Sequence, residues 1–205
     1  MRLVVLLTFL LLLAAGAAAQ AAMLGDSSVS YSADRTLTIG ERTYNGKLYA
    51  RPGSQRHEQS LEGIQQIMIL QGDSARGWLL LPVLNAYIEF GIGPIEAELQ
   101  DDTLLSTRVG EEVIEGRRTN KYRIEHTAKN GTFVEGYLWL TREGIPMRLD
   151  GSYTGSNGGN PTKVHMQLSH VEVGPQDSAL FVTPRNMMKL PYGELSRMLG
   201  FGKTG

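Results

Sequence analysis

Cysteine is absent from the 205 residues. That excludes disulfides, thiolate metal sites, cysteine nucleophiles and cysteine-linked lipid anchors. A charge excess is missing too, since 20 Lys and Arg stand against 21 Asp and Glu. A nucleic-acid binder neutralises phosphates with a clear basic excess or stripe, and no such stripe is present. The histidines His57, His126, His165 and His170 are scattered, and none pairs at the helical spacing a zinc site uses. Glu111-Glu112 and Asp101-Asp102 are sequence neighbours, which on a strand face opposite ways and make no acid–base pair. There is no G-x-S-x-G elbow and no phosphate loop; the glycines sit at turns. These gaps predict a non-enzyme with no metal and no cofactor.

Long apolar runs are missing everywhere except at the start. Arg2 precedes an apolar run over residues 3–13, interrupted by Thr8 and followed by the small residues 14–19. This order is that of a secretory signal peptide, with Ala17-Ala18-Ala19 as the cleavage site before Gln20. The run is roughly 11 residues, well short of the ~20 that span a bilayer. The expected organisation is a signal peptide over 1–19, a short linker over 20–27, a β domain over 28–190, and a short helix with a tail over 191–205. The product is expected to be periplasmic, exported and soluble.

What is present is a period close to 2. Val164, Met166 and Leu168 alternate with Lys163, His165 and Gln167, and Met147 and Leu149 with Arg148 and Asp150. Turn pairs separate such runs: Asn45-Gly46, Glu115-Gly116, Asn130-Gly131, Glu143-Gly144 and Asp150-Gly151. This spacing predicts about ten antiparallel strands in a meander that forms a barrel or sandwich. Helix is confined to residues 94–105 and 191–199, the second stopped by Gly200. Several strands are apolar on both faces, as in residues 67–70, 78–81 and 133–140. Such strands must be covered on both sides. Ordinary sandwich packing and a sheet curled round an apolar cavity both satisfy this.

Arg51-Pro52-Gly53 closes the run Gly46-Lys47-Leu48-Tyr49-Ala50, and Arg51 shares a side with Tyr49. It is either a solvated strand end or a guanidinium at the rim of an apolar space.

The stretch Gly46-Lys47-Leu48-Tyr49-Ala50-Arg51-Pro52 resembles the G-x-L-aromatic-x-R-P motif of the LolA/LolB-like periplasmic lipoprotein-carrier superfamily. Gln71-Gly72-Asp73 through Trp78, then Leu81-Pro82 and Tyr87, is similar to its D-G-x-x-x-W hairpin, with Asp and Gly in reversed order. Ser178 through Pro184 resembles its F-x-x-P turn. Gly116, Thr119, Lys121, Tyr122, Trp139, Gly144-Ile145-Pro146 and Arg148 resemble an uncharacterised lipoprotein-sorting-like branch. The resemblance implies a highly curved, antiparallel open half-barrel with short lid helices. Its apolar concave face would receive a lipid or the acyl chains of a lipoprotein, as a carrier or in envelope assembly. Transient contact with a membrane or an envelope protein is part of that expectation. Strand phase and resemblance together nominate Tyr49, Ile67, Ile69, Trp78, Leu80, Tyr87, Tyr137, Trp139, Met147 and Met166 as lining residues. Arg51 would be the lid latch. The alternative is a non-catalytic interaction module whose concave face docks a partner segment.

Overall fold

The computed structural model describes residues 27–61, 63–72, 74, 76–91, 105–127, 131–156, 158–183 and 185–191. Its strands are β1 (Tyr31–Ile39), β2 (Arg42–Arg51), β3 (Ser54–Leu61), β4 (Ile64–Gln71), β5 (Arg76–Leu81), β6 (Ala86–Gly91), β7 (Leu105–Ile114), β8 (Arg117–Thr127), β9 (Phe133–Leu140), β10 (Pro146–Thr154), β11 (Thr162–Val173) and β12 (Met188–Lys189). All twelve lie in one sheet, in the order β12-β6-β5-β4-β3-β2-β1-β11-β10-β9-β8-β7. The sheet is open rather than closed, and every pair is antiparallel except β12 with β6. The expected half-barrel is therefore the fold, with twelve strands among the described residues instead of about ten. Of the two expected helices, residues 94–104 and 192–199 lie outside the described residues. Leu105 opens β7 rather than closing a helix.

Local sequence explains the hairpins. Glu115 and Gly116 both have positive φ, 49° and 74°, and Ile114 pairs with Arg117 across them. That is the two-residue turn whose twist matches the flanking strands. The glycine-rich loop after Thr154 joins β10 to β11, as its composition predicts.

Glycines also set the curvature. A Cβ on Gly46 would stand 2.0 Å from the Glu58 carbonyl oxygen, and one on Gly136 2.4 Å from that of Asp150. Both positions share a phase with the main core, since Gly46 alternates with Tyr44 and Leu48, and Gly136 with Leu138. Neighbouring backbone thus closes in on the core side, which is the inside of the bend.

Candidate functional site

The concave face carries one large apolar field. Tyr31, Leu37 and Ile39 of β1 meet Leu48 and Ala50 of β2, Met166 and Leu168 of β11, Leu149 of β10, Leu138 of β9 and Ile124 of β8. All are under 8% exposed. Burial in these surroundings pushes the Tyr31 phenol above its ordinary range. A second, smaller field lies on the same phase of β5 and β6, where Leu79, Leu81, Ala86 and Ile88 pack with Leu190.

Between the two fields runs a buried polar seam that strand patterning did not single out. Gln55, His57 and Gln59 occupy the concave phase of β3 and are buried, as is Gln66 opposite Gln59 on β4. Arg35, the one charged residue in the inward phase of β1, reaches this seam. Its Nη1 donates to His57 Nδ1 at 2.7 Å and its Nη2 to Gln59 Oε1 at 2.8 Å. A guanidinium only donates, so His57 Nδ1 must accept and its ring proton sits on Nε2. That proton is donated to Gln55 Oε1 at 2.9 Å. Burial, reinforced by the Arg35 charge, holds the His57 imidazole well below its usual pKa, and burial pushes Arg35 down to about 10. The available signal was Arg35 in a strand whose other odd positions are all apolar, beside a strand spaced Gln-x-His-x-Gln.

Nine of the eleven nominated residues share one face, but it is the convex one. Leu48 and Ala50 point inward, so Tyr49 and Arg51 point outward; the same parity turns Ile67, Ile69, Trp78, Leu80 and Tyr87 away from the concavity. Tyr137 and Trp139 are outward on β9. Only Met147 and Met166 lie on the concave face, buried at 0% and 4%. The cause is physical: in β4 and β5 both phases are apolar, and a choice off by one residue moves a whole strand's side chains to the other face.

A C-terminal strap explains why the outward phase of those strands is apolar. The 3-10 helix Ser178–Phe181 crosses the convex side, and Phe181 is fully buried. Arg56 Nη1 donates to the Leu180 carbonyl at 3.0 Å, and Gln71 Nε2 to the Phe181 carbonyl at 2.7 Å. Met187, like Trp78 and Tyr87, packs against the cluster formed by Ile67, Ile69 and Leu80. Strand β12 docks on β6, with Met188 N donating to Asn85 O and Leu190 N to Tyr87 O. Lys189 Nζ donates to Glu89 Oε2 at 2.9 Å and holds that carboxyl below its usual range. Arg51 does touch this strap: its guanidinium carbon lies 4.7 Å from the centre of the Phe181 ring. The side-chain hydrogen bonds to the strap's Leu180 and Phe181 carbonyls come from Arg56 and Gln71, while the two segments expected to serve as lid, 94–105 and 191–199, lie almost wholly outside the described residues.

Among the described residues no group of His, Cys, Asp or Glu is placed to hold a metal ion. Nor is any helix among them long and apolar enough to cross a membrane.

No protein-family model matches the chain. No curated protein matches it in sequence. Solved structures do share the fold. An uncharacterised conserved protein from Thermus thermophilus is 14% identical, with 84% of this chain and 98% of that one covered and a TM-score of 0.53. MucB is 15% identical over 82% of this chain, with a TM-score of 0.50, and this chain spans 62% of MucB's length. A LolA superfamily protein from Nitrosomonas europaea is 8% identical over 80% of this chain and 97% of its own, with a TM-score of 0.41. At these identities the likeness to the first two is one of fold.

Proposed function

We propose that this is an exported envelope protein that holds a lipid, or the acyl chains of a lipoprotein, against its concave face. It acts as a carrier or in envelope assembly, by binding and not by catalysis. The observation that carries this reading is the composition of that face: two apolar fields separated by one buried polar seam around Arg35. An amphiphile has the same division, with chains that gain about 0.8 kcal/mol per buried methylene and a head that needs donors and acceptors. The concave side chains are shielded from solvent in the structure, so uptake requires the curve to open. The sheet is not closed on itself, which leaves it a flank at which to do so. The motif resemblance to lipoprotein carriers supports the same reading.

Native mass spectrometry of protein purified from its own envelope fraction tests it. A bound mass that organic solvent extracts as lipid is expected, together with displacement of that mass by a fluorescent fatty acid. A bare chain mass with no fatty-acid uptake overturns the proposal. A co-purified peptide in place of lipid identifies the face as a docking site for a partner segment.

A further inference from the structure

On the convex face of β8–β11 the side chains form cross-strand rows. One row is Glu125, Glu135, Ser152 and Lys163; the next is Arg123, Tyr137, Asp150 and His165. Between them the strand phase points the other way, and Gly136 and Gly151 pair with each other. A groove of about 330 Å³ follows, floored by those two glycines and lined by Arg123, Glu135, Tyr137, Asp150, Ser152 and Lys163. That volume lies at the lower end of small-ligand sites, which run from about 300 to 1,000 Å³.

We infer that this groove binds a neutral saccharide, with a sugar ring stacked on Tyr137. Charge decides the ligand class. Two acids and two bases line the groove, so neither a phosphate nor a polycation gains from the whole site. Arg123 is paired with Glu125, and Asp150 with both Arg148 and His165. Glu135 and Lys163 have no ion-pair partner among the described residues, and they stand in register on either side of Ser152. A carboxylate that only accepts, an ammonium that only donates and a hydroxyl that does both suit a ligand bearing many hydroxyls. Hydrogen bonds from charged groups to neutral hydroxyls are also the stronger kind.

Tyr137 supplies the apolar contact. It is 39% exposed, while its neighbour Trp139 is 3% exposed. Trp139 is clamped between Lys121 at 4.7 Å and Arg148 at 5.0 Å from its ring centre. Lys121 also sits 4.6 Å from the Tyr137 ring centre. The Tyr137 ring is thus braced from the Trp139 side and borders the groove with the remainder. A ring face carries negative charge density and favours the weakly positive C–H face of a pyranose over an anion.

The test is saturation-transfer NMR and titration of the purified protein with maltose, cellobiose and N,N′-diacetylchitobiose, with inorganic phosphate as the anion arm. Binding of at least one disaccharide is expected. Tyr137→Ala should weaken it about tenfold, the size of one aromatic contact. Tyr137→Trp should retain it, and Glu135→Ala should weaken it without shifting the melting temperature. Absence of binding by all three sugars at millimolar concentration overturns the proposal, as does binding that Tyr137→Ala leaves unchanged. So does phosphate binding alone. Lipid on the concave face is read separately, so either proposal can fail without the other.

Discussion

His57 is the residue at which pH should be felt. It is neutral in the fold because Arg35 donates to its Nδ1, and protonating that nitrogen would both break the bond and place two cations in one buried seam. Facing it are Arg35 from β1, Gln55 and Gln59 from its own strand, Leu48 opposite on β2 and Met68 opposite on β4. Its folded pKa lies below the unfolded value, so above pH 6.5 both states are neutral and the group costs nothing. As pH falls below that value the unfolded chain takes up the proton first, and stability drops by about 1.4 kcal/mol per pH unit until the folded pKa is reached. Denaturant melts at pH 7 and pH 5 should show this loss, and His57→Gln should shrink it. Arg35→Ala should cost about 3 kcal/mol at neutral pH, because two buried acceptors, His57 Nδ1 and Gln59 Oε1, lose their donor. At this scale the sequence was least legible. The polarity of Gln55, His57 and Gln59 suggests solvent, and only the pairing with Arg35 shows that they are inside. Arg51 is the reverse case: its motif drew notice, while the contact it makes is with the Phe181 ring, and the strap's Leu180 and Phe181 carbonyls are held by Arg56 and Gln71.

Among the elements, the hairpins were legible in part and their facing was not. Glu115-Gly116 and Glu143-Gly144 fall between strands, whereas Asn45-Gly46 and Asp150-Gly151 lie inside β2 and β10, their glycines serving close strand contact instead of a turn. Turn pairs such as Glu115-Gly116 locate strand ends because only certain residues tolerate positive φ. Facing depends on which phase is polar, and Ile67-Met68-Ile69-Leu70 offers no polar phase. The reason for that double apolarity is the strap, whose short 3-10 helix and two-residue β12 carry too little periodicity to announce themselves. Its attachment can be probed directly. Gln71→Ala should raise hydrogen exchange at the Met188 and Leu190 amides well before the rest of the sheet, since those bonds depend on the strap staying docked. Equal exchange in variant and parent would show that β12 holds unaided. The bend in β9 is the other element-scale test. Gly136→Val forces a Cβ to within 2.4 Å of the Asp150 carbonyl oxygen and 2.6 Å of Gly151 Cα. The neighbouring backbone would have to move, so a loss of about 3 kcal/mol is expected in thermal melts.

At the scale of the whole molecule, turn spacing and the motif order indicated an open antiparallel sheet correctly, while the strand order needed the structure. Two runs of neighbours, β1–β6 and β7–β11, are each joined by short local turns, and among the described residues their strands hydrogen-bond to one another only where β1 pairs with β11. Strands β6 and β7 are consecutive among the described strands and stand near opposite flanks of the sheet. The ladder between β1 and β11, with Leu37 opposite Met166, joins residues far apart in sequence, so loop-closure entropy must be overcome before its contacts form. Leu37→Ala should lower stability by about 3 kcal/mol. The strap makes the second such joint, because β12 belongs to the later half of the chain and pairs with β6 of the earlier half. The later half thus grips the earlier one at both of its borders, β1 on one side and β6 on the other. Among the described residues the halves are held at two ladders as well as through the chain itself, which predicts that the gene can be divided between residues 91 and 105. Two separately made pieces, mixed in refolding buffer, should reassemble into one particle.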